Sequence, residues 1–213
     1  MQIGVLGSGD VGRTLAAGVH ALGHTVMLGT GHQSEERVQQ WVTAQGAGAA
    51  VGTFAEAAAF GELLVFTIRG DGVEAVIAKA GPEHFAGNTV LDTTNPLDFS
   101  GPVPTLFVGQ TDSMAERIQR LLPGAHVVKA FNYVGFNQMV HPQLPGGPPT
   151  LFLAGDDADA NAAVATLGRA LGWEPLEVGG LFTARFLEPL AMVWILTAMR
   201  DKVRGQALKM LRT

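Results

Sequence analysis

Residues Gly7-Ser8-Gly9-Asp10-Val11-Gly12 form a G-x-G-x-x-G run placed directly after the apolar segment Ile3 to Leu6 and directly before a segment with helical spacing. That placement constrains the chain strongly. The first glycine permits a tight turn, the second lets backbone N–H groups approach a diphosphate, and the third lets a helix pack closely on a strand. The helix start then faces the phosphates with unpaired N–H groups and a partial positive charge. Gly7, Ser8, Gly9, Asp10, Val11 and Gly12 are therefore candidate cofactor-binding residues, with the Asp10 side chain expected to turn away from the phosphates and cap the helix. The alternative is a glycine-rich turn that binds no dinucleotide. Leu15, Val19 and Leu22 recur at spacings of four and three, which gives the segment Val11 to Leu22 one apolar stripe before Gly23 ends it.

Short apolar runs alternate with helical segments along the rest of the chain, the rhythm of a parallel sheet covered on both faces. Expected strands are Ile3 to Leu6, Val26 to Leu28, Leu63 to Thr67, Thr89 to Leu91, His126 to Val128 and Leu151 to Ala154, with Glu174 to Val178 a weaker candidate. Expected helices include Asp156 to Leu171 and a long final stretch from Thr183 to Leu211, kinked at Pro189. The fold class is α/β: a Rossmann-type doubly wound, mostly parallel sheet with a small C-terminal α/β extension. The segment Phe131 to Pro149, with Pro142, Pro145, Pro148 and Pro149, cannot hold a regular element for long and is the best boundary. It divides residues 1–141, the NAD(P)-binding core, from residues 142–213, an extension on the same sheet rather than an independent domain.

Composition removes several function classes. A net charge of −5 argues against nucleic acid and anionic membranes as partners, because both require clustered Lys and Arg. With no cysteine, disulfides, thiolate metal sites and a Cys nucleophile are excluded. The six histidines are scattered, and the helix-spaced pair His20 and His24 straddles Gly23, so no metal site is expected. No G-x-S-x-G elbow is present. The chain opens on an apolar strand with no basic segment ahead of it and no signal-type cleavage site, and the lack of cysteine fits a cytoplasmic protein. Phe186 to Met199 is interrupted by Glu188, Pro189 and Thr197 and is shorter than the roughly 20 residues of a membrane span.

Ligands of open α/β sheets sit beyond the carboxyl ends of the strands, where cofactor choice is also read. After the second strand comes Leu28-Gly29-Thr30-Gly31-His32, without the acid that holds a ribose 2′-hydroxyl. The Thr30 hydroxyl with nearby His32, Ser34 and Arg37 suits a 2′-phosphate, so NADP(H) is favoured and NAD(H) stays possible. Glu35 and Glu36 follow, which also fits a solvated helix start. Three further strand-end clusters, Thr67-Ile68-Arg69-Gly70-Asp71, Asp92-Thr93-Thr94-Asn95-Pro96 and Lys129-Ala130-Phe131-Asn132-Tyr133, can border the diphosphate, the ribose and a flat nicotinamide. Each also fits ordinary turn chemistry.

Taken together, these residues resemble the family of NADP oxidoreductases dependent on the deazaflavin coenzyme F420, and the chain is also similar to the oxidoreductase domain of six-transmembrane metalloreductases. The resemblance rests on Gly7 to Gly12, Leu22-Gly23-His24, Leu91 to Asp98, Val128 to Asn132 and Leu151 to Asp157, and so covers nearly the whole chain. It implies a Rossmann domain with a small C-terminal extension, usually dimeric, in which hydride passes between a nicotinamide and a deazaflavin or flavin ring. Family cofactor positions match Ser8, Gly9, Asp10, Val11, Thr30, Gly31, Ile68, Asn95 and Ala130. Where the family commonly has an Arg after the Ser or Thr, this chain has Gly31.

Hydride transfer to such a ring needs stacking, alignment and water exclusion more than a conspicuous acid. Candidate catalytic residues are Asn95, Lys129, Phe131 and Asn132, with the flat acceptor stacked near Phe131 and the Pro-rich loop. The leading expectation is an NADPH-dependent oxidoreductase with a small-molecule electron acceptor, flavin or coenzyme F420 being possible co-substrates. One rival is a reductase of a small carbonyl or imine, with Lys129, Tyr133 or His141 as proton source, although Tyr133 has Asn137 rather than Lys four residues later. Another is a non-catalytic NADP(H)-binding redox sensor. Lys129 equally fits a structural ion pair. Leu187, Leu190, Met192, Val193, Trp194, Ile195 and Leu196 make the last helix apolar on too much of its circumference for a surface position, which suggests a homodimer formed through it or burial within the subunit.

Overall fold

A computed structural model describes residues 1–211. Its strands are β1 (Gln2–Leu6), β2 (Thr25–Gly29), β3 (Ala49–Gly52), β4 (Leu63–Phe66), β5 (Thr89–Asp92), β6 (Leu97–Asp98), β7 (Thr105–Leu106), β8 (His126–Lys129), β9 (Thr150–Gly155) and β10 (Glu174–Glu177). Its helices are α1 (Asp10–Ala21), α2 (Glu36–Gln45), α3 (Phe54–Phe60), α4 (Val73–Ala80), α5 (Met114–Leu121), α6 (Ala158–Ala170) and α7 (Ala184–Asp201).

Eight strands form one sheet in the order β10-β9-β8-β5-β4-β1-β2-β3, and β6 and β7 make a separate two-stranded hairpin. Neighbours in the large sheet are parallel except β8 and β9. Residues beyond 141 continue this sheet as β9 and β10, and the mostly parallel doubly wound architecture is the one the alternation of apolar runs calls for. From β1 the chain winds outward through β2 and β3, then returns to β4 on the other side of β1. This reversal opens a crevice beyond the carboxyl ends of β1 and β4, the usual ligand position in such sheets.

The inner strands β4 and β9 are buried throughout, and β1, β5 and β8 are buried except at their first residues. On one side Val5, Leu28 and Leu153 pack with Leu15 and Val19 of α1 and with Val164 of α6. On the other, Leu64 and Phe66 pack with Ile77 of α4 and Ile118 of α5. Under α7, Leu187 and Ala191 close on Tyr133, Phe152 and Ala154.

The edge strand β3 and the last helix differ from the reading of the sequence. The edge strand β3 was not anticipated, because Ala49-Ala50-Val51-Gly52 offers a single β-branched residue; pairing with β2 supplies the order that propensity does not. The last helix stops at Asp201 rather than Leu211. Lys202 adopts the left-handed conformation (φ 56°), and the tail folds back so that the Thr150 N–H donates to the Leu208 carbonyl at 3.0 Å. Leu181–Asp201, 21 residues, is also longer than the apolar stretch noted in the sequence, and by length and composition alone it is long and apolar enough to cross a membrane. Two of its charged groups are nevertheless tied inward, Glu188 to Lys129 at 2.8 Å and Arg185 to Glu116 at 2.6 Å.

Candidate functional site

The turn from β1 into α1 is built from two glycines the fold requires and one that it does not. Gly7 has φ +130°, a conformation L side chains rarely adopt, and a side chain at Gly12 would put its Cβ 2.0 Å from the Gly7 carbonyl oxygen. At Gly9, by contrast, the backbone is extended (φ −69°, ψ −174°) and an added Cβ would meet no atom within 4 Å. Packing leaves room for a side chain there, so it is a ligand lying on this turn, beyond the N-cap preference for glycine, that would exclude one. Gly9 is the N-cap of α1 and makes no side-chain cap, whereas Thr53, Ser113 and Asp157 cap α3, α5 and α6. The first N–H groups of α1 therefore keep donor capacity and the positive end of the helix dipole for an anion.

The surroundings hold this turn rigidly. The Thr67 hydroxyl donates to the carbonyls of Leu6 (3.2 Å) and Gly7 (3.1 Å), which ties the end of β4 to the end of β1. The Ser8 hydroxyl donates to Thr30 Oγ1 at 2.9 Å, and the His32 N–H donates to the same oxygen at 3.1 Å. Asp10 does turn outward, but it does not cap. It sits inside the first turn of the helix and pairs with Arg13 at 2.6 Å, because Gly9 occupies the cap position. Arg13, which sequence reading passed over, also donates to the Ser8 carbonyl at 2.7 Å, and the i, i+3 spacing from Asp10 was the available signal.

Beyond β2, Thr30 is buried, whereas His32 and Arg37 lie on the surface. Both lean on one carboxylate: Arg37 Nε lies 2.6 Å and His32 Nδ1 3.5 Å from Glu35. A 2′-phosphate here would have to draw the Arg37 guanidinium and the His32 ring away from Glu35. Gly31 leaves open space where a side chain would start.

On the far side of Gly7, a cavity of about 280 Å³ is lined by Val11, Ile68, Arg69, Thr94, Asn95 and Phe99 among others. The buried Thr94 hydroxyl has no hydrogen-bond partner among the described residues. Phe99, on the β6–β7 turn, is 57% exposed and carries the Arg69 guanidinium 5.8 Å from its ring centroid. Asn95 and Asn132 form a reciprocal pair: Asn95 Nδ2 donates to the Asn132 carbonyl at 2.5 Å, and Asn132 Nδ2 donates to Asn95 Oδ1 at 2.9 Å. Asn132 also donates to the Leu187 carbonyl at 2.8 Å, which links the strand-end loops to α7.

A second, larger cavity of about 600 Å³ adjoins the first, and Val11 and Phe99 line both. Its other walls include Phe136 from the Pro-rich loop and Trp194, Ile195 and Met199 from α7. Trp194 lies against Gly135, where a Cβ would come within 2.9 Å of the indole. No sequence signal joins Phe99, Phe136 and Trp194, because their meeting depends on how α7 returns over the strand ends.

The two other catalytic candidates are placed inside the protein. Lys129 is fully buried, with its ammonium 2.6 Å from Asp92, 2.8 Å from Glu188 and 2.7 Å from the Thr94 carbonyl. Burial alone would lower its pKa, but the charges of Asp92 and Glu188 outweigh that and raise it. Burial, reinforced by the Asp92 charge, raises the Glu188 pKa although Lys129 opposes it. Such a lysine holds its proton, so the ion-pair alternative describes it. Phe131 is likewise fully buried, edge-on to Trp173 with ring centroids 5.5 Å apart, and offers no face to an acceptor. Its backbone is left-handed (φ 60°). Ala130 is buried too, with its N–H donated to the Asp92 carbonyl at 3.1 Å. The Tyr133 hydroxyl donates to the Thr150 carbonyl at 3.0 Å and accepts from the Phe152 N–H at 2.6 Å, and burial pushes its pKa up, so it is no proton source. His141, in the left-handed region (φ 46°), donates its backbone N–H to the Leu171 carbonyl at 2.8 Å.

Comparison with known proteins gives the same assignment along the whole chain. The family model for NADP oxidoreductase, coenzyme F420-dependent, matches residues 2–96. A candidate F420-dependent NADP reductase from Arthrobacter sp. FB24 has a crystal structure that superposes with a TM-score of 0.94 at 39% identity, each chain fully covered by the other. The F420-dependent NADP reductase of Methanothermobacter thermautotrophicus is 26% identical over 98% of this chain and 94% of its own length. The metalloreductase STEAP3 of Rattus norvegicus is 27% identical over 90% of this chain, which spans only 36% of that protein. The chain belongs to the family of NADP oxidoreductases dependent on coenzyme F420.

Proposed function

We propose that this chain is an NADPH-dependent reductase of a flat flavin or deazaflavin ring, with the nicotinamide in the smaller cavity and the acceptor in the larger one. The observation that carries the reading is the contact between the two cavities at Val11 and Phe99. Rings held one in each cavity would be brought together at these shared walls, and hydride transfer requires alignment at near-contact distance rather than a proton donor. When bound, the reduced nicotinamide supplies a hydride from C4 to the acceptor ring, and a flavin takes its accompanying proton from solvent.

The chain's own residues bind and position. The N–H groups at Gly9, Asp10 and Val11 receive the diphosphate, Ser8 and Thr30 set the turn toward the adenine ribose, and Ile68, Arg69 and Asn95 border the nicotinamide side. Asn132 holds Asn95 in place. His32, Arg37 and Thr30 receive the 2′-phosphate once Glu35 is displaced, which makes preference for NADPH over NADH modest. Lys129 and Tyr133, the proton donors a carbonyl or imine reductase would call on, are buried and engaged. The exposed apolar face of α7, with Phe186 67% and Val193 54% accessible, is assigned to a second copy of the chain in a cytoplasmic homodimer.

Anaerobic steady-state oxidation of NADPH against a panel of flavins, a deazaflavin, ketones and imines tests this. Turnover confined to the flat rings is expected. Turnover with ketones or imines alone overturns the acceptor assignment, and tight NADPH binding without turnover anywhere leaves a redox sensor in its place.

A further inference from the structure

The larger cavity has a cationic rim as well as apolar walls. Lys202 and Arg204 line it, and no carboxylate does among the described residues. The ion pairs of α7 and the tail are Arg185–Glu116, Glu188–Lys129, Arg200–Asp201 and Lys209–Glu174, which leave Lys202 and Arg204 outside them among the described residues. On a chain with a net charge of −5, two such cations at the mouth of one apolar cavity need an explanation.

The turn that carries them is held in place. Trp194 Nε1 donates to the Gln206 carbonyl at 2.8 Å, while Gln206 Nε2 donates back to the Trp194 carbonyl at 3.0 Å and to Thr197 Oγ1 at 2.9 Å. The tail is thus clamped onto the helix residue whose indole forms the cavity wall, with residues 202–204 spanning the mouth. Lys202 ends α7 in a left-handed conformation that favours glycine or asparagine. For the turn alone, glycine would serve better than lysine. What lysine adds there is an ammonium at the rim.

We propose that Lys202 and Arg204 are specificity-determining residues that select an acceptor bearing an anionic side chain, a phosphate or carboxylate, on its flat ring. This rests on the assignment of the larger cavity to the acceptor. The ring lies between Phe99, Phe136 and Trp194, and its charged tail leaves past residues 202–204 toward solvent. Two cations in a fixed turn give charge-assisted hydrogen bonds to such a tail and repel a cationic amine or iminium substrate.

FMN and riboflavin share one ring and differ by a phosphate, so their comparison isolates the rim. The kcat/KM for FMN should exceed that for riboflavin by about tenfold or more, the worth of one charge-assisted hydrogen bond. That ratio should fall toward one in the double variant K202A/R204A and invert in K202E/R204E. Quenching of flavin fluorescence gives the same ratio from binding alone, and NADPH binding checks that each variant is folded. The parallel comparison of coenzyme F420 with its tail-less chromophore reports a carboxylate-bearing tail in place of a phosphate. A charged-to-uncharged ratio that collapses in the variants in either pair supports the assignment, and ratios unchanged by both variants in both pairs overturn it. Loss of hydride transfer to every flat ring, with the binding preference retained, would refute the reductase reading and leave the rim assignment standing.

Discussion

Replacing Gly9 by alanine separates what the fold needs from what the ligand needs. The Gly9 backbone is extended and an added Cβ has no neighbour within 4 Å, so the folded chain accommodates alanine. Alanine gains about 0.4–1 kcal/mol through the unfolded state and gives up a similar amount as a poorer N-cap. The melting temperature should then stay within about 4 °C of wild type, since 1 kcal/mol moves a domain of this size by about 2–4 °C. Binding should behave very differently. The methyl group stands where the diphosphate approaches the N–H groups of α1, and displacing one or two charge-assisted hydrogen bonds of about 1.5–3 kcal/mol costs about ten- to hundredfold or more in NADPH affinity. Gly12→Ala is the contrasting control. Its Cβ would lie 2.0 Å from the Gly7 carbonyl, so the helix must move off the strand, at about 1–3 kcal/mol and a melting point lower by about 2–12 °C. Calorimetric titration with NADPH and thermal unfolding of both variants decide the matter. A Gly9→Ala protein that binds NADPH like wild type refutes the assignment of the diphosphate to this turn.

The remaining expectations each test one part of the site. At Gly31 an added side chain meets open space, so Gly31→Arg should raise the NADPH-over-NADH affinity ratio by about tenfold, as expected for one further guanidinium–phosphate hydrogen bond; an unchanged ratio places the 2′-phosphate elsewhere. Lys129→Met leaves Asp92 and Glu188 buried without their cation and should cost about 3–5 kcal/mol in urea unfolding; a stability within 1 kcal/mol of wild type, on the order of a surface change, contradicts the buried ion-pair reading. Glu116, held below its ordinary 4.5 chiefly by the hydrogen bond from Arg185, contributes stability that is present above that value and is lost as pH falls through the lower folded value. Acid titration should accordingly loosen the start of α7, read as a change in Trp194 fluorescence that Glu116→Gln abolishes. Light scattering should report two copies per particle, and Phe186→Asp with Val193→Asp should yield a monomer; a monomeric wild type refutes the homodimer.

What could be read from the sequence was the part fixed by local chemistry. The apolar run Ile3 to Leu6, the three glycines and the Leu15–Val19 stripe specify strand, turn and helix within some twenty residues, and the strand-end clusters follow from the alternation. Which way those end residues point was not legible. Lys129, Phe131 and Tyr133 look like ligand-facing polar and aromatic groups in one dimension, but all three are buried. Phe131 has its ring in the core from a left-handed backbone, and Lys129 pairs inside the protein with Glu188, nearly sixty residues away on α7. The acceptor cavity was hidden for a related reason. Phe99, Phe136, Trp194 and Lys202 come from separate segments, and the helix that joins them ends ten residues before the apolar pattern suggested. Propensity describes where a helix can continue, whereas the Trp194–Gln206 exchange determines where this one stops.

The most direct test of the two-cavity account follows the transferred hydrogen. NADPH carrying deuterium on one face of C4, and then on the other, is mixed anaerobically with the protein and an oxidised deazaflavin, whose ring carbon keeps the hydrogen it receives. The account predicts deuterium in the reduced deazaflavin from one labelled face and not from the other, as fixed stacking of the rings across Val11 and Phe99 requires. Oxidised NADPH with no deuterium in the deazaflavin from either face would contradict it.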